Sequence, residues 1–194
     1  MEKSSKEKKA LFPAKGKRGY LKGKKLKNLL IAILFIGLIA GLMITGILIT
    51  GNKKNIFTIM AILNVLPMAH FLTALIAAFP YKSPSLDEYE SVCTGKEDAM
   101  LTEIIVTSPK LKAAELYYVC INDDNVYAYS PSLPGSKKEY EEYIEGLLAV
   151  SKMNVSFHIY TELTAFKKVS KHAEYQKLSR FEEDVYSSLK SVSM

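Results

Sequence analysis

Leu29 to Thr50 and Ile56 to Phe79 are uninterrupted apolar runs of 22 and 24 residues, set five residues apart, and neither holds a residue charged at neutral pH. A helix rising about 1.5 Å per residue needs roughly 20 such residues to cross a hydrocarbon core of about 30 Å, so each run is long enough to span alone. A chain with this pattern is expected to be a membrane α-helical hairpin before it is anything else. The first transmembrane helix is expected at residues 29–50, an external loop at 51–55 and the second transmembrane helix at 56–79. Residues 80–194 are long enough for one small domain, and residues 1–28 form a separate basic tail.

Charge is divided as unevenly as hydropathy. Residues 1–28 carry eleven Lys and Arg against Glu2 and Glu7, whereas residues 80–194 carry 13 basic and 18 acidic residues. The high pI therefore belongs to the tail, and an acidic domain argues against a nucleic-acid surface there. The first run is too long for the apolar core of a cleaved signal and lacks a small-residue exit, so it reads as a retained span. Lysines and arginine close to the first run outnumber Lys53 and Lys54 of the loop, which predicts an N-in, C-in protein of the inner or plasma membrane. Cys93 and Cys120, the two cysteines, form no CxxC or Cys/His cluster, and such thiols suit the cytoplasm. Arginine occurs only at Arg18 and Arg180, tryptophan is absent, and the Lys-, Ile- and Asn-leaning usage suits an AT-rich bacterial genome.

Within the tail, Pro13, Gly16, Gly19 and Gly23 are scattered among lysines and apolar residues are sparse, which predicts disorder. Lys17, Arg18, Lys22, Lys24, Lys25 and Lys27 are the candidate contacts to anionic lipid headgroups; the alternatives for the tail are an RNA contact or docking onto the protein's own acidic domain. In the first run Gly37, Gly41 and Thr45 recur every four residues, a small-residue stripe expected to pack against the second helix. The second run carries Asn64, Pro67 and His70, polar or helix-breaking groups that need partners in hydrocarbon. They raise two expectations: hydrogen bonds of Asn64 and His70 across to the first helix or to carbonyls freed by Pro67, or a proton or ligand site in a small oligomeric transporter or channel component.

The C-terminal segment reads as a small cytoplasmic α/β (α+β) domain with a four-stranded mixed sheet. Ser83-Pro84-Ser85 offers a helix start, with Asp87, Glu88 and Glu90 in the first turns, and Gly95 is expected to end it. Leu101–Thr107, Glu115–Ile121 and Val126–Ser130 read as strands, the last two joined through Asn122 to Asn125 as a hairpin. Ser136 and Glu139 form a capping-box pattern before a helix with Tyr140, Tyr143, Ile144, Leu147 and Leu148 at helical spacing. Val155–Thr161 alternates as a half-buried strand. Helices follow from about Leu163, with Phe166, Val169 and Ala173 inward, and from a second box at Ser179 and Glu182, with Phe181, Val185, Leu189 and Val192 inward. The order is αβββαβαα, with the third and fourth strands parallel across a helix.

The αβββαβ portion resembles the core of the PD-(D/E)xK nuclease-like fold. That resemblance implies a metal held by carboxylates of neighbouring strands, with a lysine two residues beyond one of them. Past Lys9 no Asp or Glu is followed two residues later by Lys, and no phosphate-loop, dinucleotide, nucleophile-elbow or zinc-protease motif occurs. No cofactor or metal is implied. Eleven of the twelve tyrosines lie after residue 80. Tyr117, Tyr127 and Tyr129, together with His158 on the polar face of its strand, form the candidate partner surface. The function these features favour is a non-enzymatic binding, regulatory or adaptor module with a protein partner, carried on a membrane hairpin. The competing expectations are an enzyme with an unrecognised or degenerate nuclease-like site and the oligomeric transporter. A homo-oligomer is compatible with each.

Overall fold

The computed structural model of the protein describes residues 12–94, 99–122, 124–172 and 179–193. Gly95, Asp123 and Ala173 lie outside them. The chain divides into two compact units, one built from Leu21–Lys82 and the other from Pro13–Tyr20 together with Ser83 onward.

The first unit is a pair of long apolar helices, α1 (Tyr20–Thr50) and α2 (Ile56–Ala78). The helix α1 starts nine residues ahead of the apolar run, because Lys and Leu favour helix as well as the apolar residues do, and Gly19 at φ +82° marks where it begins. At the turn, Gly51 takes φ +64° and Asn55 caps α2 by accepting from the Thr58 amide at 3.0 Å. Asn55 also donates to the Thr50 hydroxyl at 3.1 Å. Gly46 lies against the start of α2 so closely that a Cβ there would sit 2.8 Å from the Phe57 Cβ. Midway, Phe35 stacks on Phe71 with ring centroids 6.0 Å apart. At the other end, Lys25 Nζ donates to the Phe79 carbonyl at 3.0 Å and the Tyr81 carbonyl at 2.6 Å, a cation placed at the negative end of α2. The pair is thus fastened at both ends. Its seam holds Ala32, Gly46 and Ala61, all buried.

The second unit contains α3 (Leu86–Cys93), β1 (Met100–Val106), β2 (Ala114–Asn122), β3 (Asn125–Tyr129), α4 (Lys137–Val150), β4 (Ser156–Tyr160), α5 (Leu163–His172) and α6 (Arg180–Val192). The sheet has strand order β1-β2-β3-β4, antiparallel for the first two pairings and parallel for β3 with β4. One face carries the larger core: Leu116, Val119, Val126, Phe157 and Ile159 beneath Tyr140, Ile144 and Leu148 of α4 and Val185 and Leu189 of α6. The other face carries Tyr118, Cys120 and Tyr129 against Val92 and Cys93 of α3 and Phe166 of α5. β1 is buried along its whole length.

Side-chain alternation breaks once, in β1 and β2 together. Leu101 and Ile104 share a face, as do Leu116 and Val119, although the pairing Thr102↔Tyr118 and Ile104↔Leu116 keeps one register. With no residue inserted, the break is a local rotation of the backbone, and it centres on Glu103, which takes φ +56°. A glutamate in the left-handed region is costly for an L-residue and needs surrounding structure to hold it.

Helix starts follow the sequence in two cases out of three. Ser85 accepts from the Glu88 amide, and Ser179 with Glu182 forms a full capping box. Ser136 occupies the N-cap of α4, but its side chain makes no cap hydrogen bond. α4 is instead anchored by Tyr140, which donates to the Lys112 carbonyl at 2.8 Å, and Tyr143, which donates to the Thr107 carbonyl at 3.1 Å. In α6, Phe181 is exposed and Tyr186 is buried, so the inward stripe is shifted toward Val185, Tyr186 and Leu189. In α5, Ser170 is buried beside Phe166 while Val169 is half-buried.

Candidate functional site

Two features of the second unit bring polar groups together away from the ordinary core. The first is the segment Pro13–Gly19, which lies along the outer edge of β1. The Gly16 carbonyl accepts from the Thr102 amide at 2.8 Å and from the Thr102 hydroxyl at 3.3 Å. The Gly19 amide donates to Glu103 Oε1 at 2.7 Å, which accounts for a carboxylate with only 1% of its surface exposed. Lys15 Nζ donates to the Ser193 carbonyl at 2.5 Å, and the Arg18 guanidinium lies 5.1 Å from the centroid of the Tyr89 ring. Gly16 has φ +86°, and a Cβ there would come within 2.9 Å of Leu101 Cδ2 and Lys190 Cε. Only glycine fits both the angle and the space. Where composition leads to the expectation of a disordered tail through residue 28, residues 13–19 are a strap on the sheet edge; backbone hydrogen bonds, which composition does not register, hold it there.

The second feature is the aromatic layer on the smaller core face. Tyr118 stacks on Tyr129 and Phe166, Tyr117 meets Tyr129 edge-on, and Tyr127 stacks on His158 at 5.7 Å. Tyr129 is buried, and Tyr117, Tyr127 and His158 are half-buried. The candidate partner surface is therefore mainly a packed aromatic layer, because the rings satisfy one another beneath α5. Tyr117, Tyr127, His158 and Tyr160 each keep part of their surface in solvent, with Lys137 Nζ 5.5 Å from the Tyr160 ring centroid. Burial, with Glu115 and Glu88 nearby, pushes the Tyr117 hydroxyl up to about 12. Burial likewise raises Tyr118, Tyr127 and Tyr129. Glu88 at the start of α3 is also raised by burial, an effect opposed by Lys167 and Tyr118.

The remaining sequence candidates are placed as follows. Gly37 and Gly41 meet nothing within 4 Å and Thr45 is exposed, so the small-residue stripe lies outside the seam between α1 and α2. Repetition every four residues identifies a face without saying which face is covered, and Gly46 is the glycine in contact. Asn64 donates to the Met60 carbonyl of its own helix at 2.8 Å, which replaces the expected bond across the hairpin. Pro67 and His70 are exposed on the pair, and His70 meets the Phe71 ring edge-on. These three residues do not converge on a site within the hairpin. Among the lipid-contact candidates, Lys17, Lys22 and Lys27 are exposed and Lys24 is half-buried, whereas Lys25 caps α2 and Arg18 lies on Tyr89.

Sequence reasoning missed Glu103, Gly16 and the α4 carboxylates Glu141 and Glu145. The two α4 side chains lie one turn apart and reach β4, Glu145 Oε1 accepting from the Phe157 amide and Glu141 Oε1 from the Ile159 amide, each at 2.7 Å. The i, i+4 spacing facing an alternating strand was the available signal. Beside them an open groove of about 460 Å³ is lined by Asp124, Glu142, Glu145, Met153 and Asn154 among others. No group of three or more His, Cys, Asp or Glu side chains able to hold a metal occurs among the described residues. No known protein family, curated protein or solved structure matches the chain.

Proposed function

We propose that the protein is a two-span membrane protein, N-in and C-in, that presents its α/β domain in the cytoplasm as a non-enzymatic binding or adaptor module for a protein partner. One observation carries the membrane half of this reading. The outward surfaces of α1 and α2 are apolar along their length, with Leu34 67%, Leu48 79%, Leu66 72% and Phe79 75% exposed. Water does not tolerate a continuous surface of that kind, and lipid does. The adaptor half is supported by three carboxylates with structural work: Glu103 holds the strap, and Glu141 and Glu145 hold β4.

The test uses the full chain in intact cells. Lys53→Cys should react with an impermeant thiol reagent from outside, and Lys138→Cys only after permeabilisation; labelling of Lys138→Cys from outside would overturn the topology. In-cell crosslinking should recover a distinct protein on the cytoplasmic domain. Self-crosslinks alone would refute the adaptor role.

A further inference from the structure

We infer that the strap Pro13–Gly19 is a latch on the β1 edge, released by anionic lipid headgroups that compete for its cations. The inference rests on the membrane reading above. Three observations converge on it.

First, the strap's hydrogen bonds and cation contacts hold it with little buried apolar surface. Gly16 is its one buried residue; Pro13 is half-buried and Ala14 is exposed, so little apolar surface keeps it down. Segments of this kind open locally without global unfolding. Second, two of its anchors are cations, Lys15 on the Ser193 carbonyl and Arg18 on the Tyr89 ring, and Lys17 between them is exposed. The charges that hold the strap are the ones an anionic surface attracts. Third, the chain runs from Gly19 directly into α1 at Tyr20, with no linker. Nine residues of helix separate Tyr20 from Leu29, about 14 Å of rise. The headgroup layer takes up about 5–7 Å of that distance. The remainder is close to a Debye length of about 8 Å. The strap is therefore within reach of the field of the leaflet that α1 enters.

Opening would uncover the Thr102 amide and the Glu103 carboxylate, which are 2% and 1% exposed as residues in the closed state. The strap thus governs whether the β1 edge can pair with another extended segment.

Hydrogen exchange read by mass spectrometry tests this on the full-length protein, reconstituted in vesicles of phosphatidylcholine or of phosphatidylcholine with phosphatidylglycerol. Gly19 and Thr102 should exchange together, and about tenfold faster in the anionic vesicles, while Val119 to Ile121 stay protected equally in both. High salt should abolish the difference. Gly16→Val should make both amides fast in either lipid. Should that variant lose protection at Val119 to Ile121 and so prove unfolded, the triple variant Lys15→Gln/Lys17→Gln/Arg18→Gln should make exchange independent of lipid. Equal exchange in the two vesicles, with α1 and α2 protected by the bilayer, overturns the latch and leaves the membrane reading standing. Unprotected α1 and α2 overturn the membrane reading itself.

Discussion

Removing the α4 carboxylates should cost this small domain a large share of its stability. Glu145 and Glu141 accept the outward amides of Phe157 and Ile159 at 2.7 Å, and both strand residues are almost fully buried, at 1% and 0% exposed. A hydrogen bond to a charged group contributes about 1.5–3 kcal/mol. Glu141 also pairs with Lys137 at 3.5 Å, a partly exposed pair worth about 0.3–0.5 kcal/mol. Glu141→Ala/Glu145→Ala should therefore lose about 3–6 kcal/mol, against a typical domain stability of about 5–15 kcal/mol. The losses should be nearly additive, because the two carboxylates serve different amides about 7 Å apart along the strand. Denaturation of the full-length protein in micelles can be followed by near-ultraviolet dichroism, since eleven of the twelve tyrosines lie after residue 80 and no tryptophan interferes. Glu→Gln at both positions keeps an acceptor oxygen and should lose less than Ala. The bared β4 edge should also make the Ala variant self-associate. A double Ala variant within about 0.5 kcal/mol of the parent would refute the reasoning, since that is the scatter of an ordinary surface change.

Three further outcomes follow from the structure. Gly46→Leu should disrupt the α1–α2 pair by about 1–3 kcal/mol, because a Cβ there is already 2.8 Å from the Phe57 Cβ; Gly37→Leu and Gly41→Leu, which face open space, should leave it intact, as judged by crosslinking of cysteines placed on the two helices. Glu88→Gln should raise thermal stability at neutral pH: burial lifts the carboxyl above its ordinary value, so the parent carries a penalty wherever Glu88 is ionised and regains stability as pH falls through the raised value, and the gap in melting temperature between parent and variant should close across that window. In an alkaline titration followed by tyrosinate absorbance, Tyr117 should lag behind the exposed tyrosines, with its hydroxyl pushed up to about 12; the unfolded chain loses that proton near the ordinary value of 10, so stability should fall as pH rises from 10 toward 12, and Tyr117→Phe should lessen the fall.

Elements defined by burial were legible in the sequence, and those defined by backbone contacts were not. The long apolar helices, the alternating strand at Phe157 and Ile159 and the α4 face at Tyr140, Ile144 and Leu148 each declare themselves by hydrophobic period, because water drives those side chains inward whatever surrounds them. The start of α1 at Tyr20 was hidden because counting apolar residues finds where lipid can begin, while Lys and Leu continue the helix beyond it. The strap was hidden because its contacts use the Gly16 carbonyl and the Gly19 amide, groups that every residue type carries except proline's missing amide. Its glycines read equally well as signs of disorder, and only the positive φ at Gly16 and Gly19 shows that they were required. The Gly37–Gly41–Thr45 stripe was found, but the rotation that brings Gly46 to the seam depends on the turn at Gly51 to Asn55, which no periodicity encodes. The aromatic count after residue 80 drew attention to Tyr117, Tyr127 and Tyr129, and strand alternation to His158; in the structure Tyr117 meets Tyr129 and Tyr127 stacks on His158, contacts that no count encodes.

The two edges of the sheet are closed by different means. β1 is covered by the Gly16 carbonyl at one end and bridged at Val106 by Ser193 at the other, while β4 has its amides occupied by α4. On a membrane this has a consequence that a free domain would not face. In the proposed membrane setting, anchoring by α1 and α2 would confine every copy to one thin layer, so neighbouring sheets would meet far more often, and in fewer orientations, than in bulk solution. A strand edge left open under that confinement would invite lateral growth of sheet from copy to copy across the bilayer surface. Glutamates on one side and, while it stays closed, the glycine strap on the other would let copies share a leaflet without joining into a ribbon.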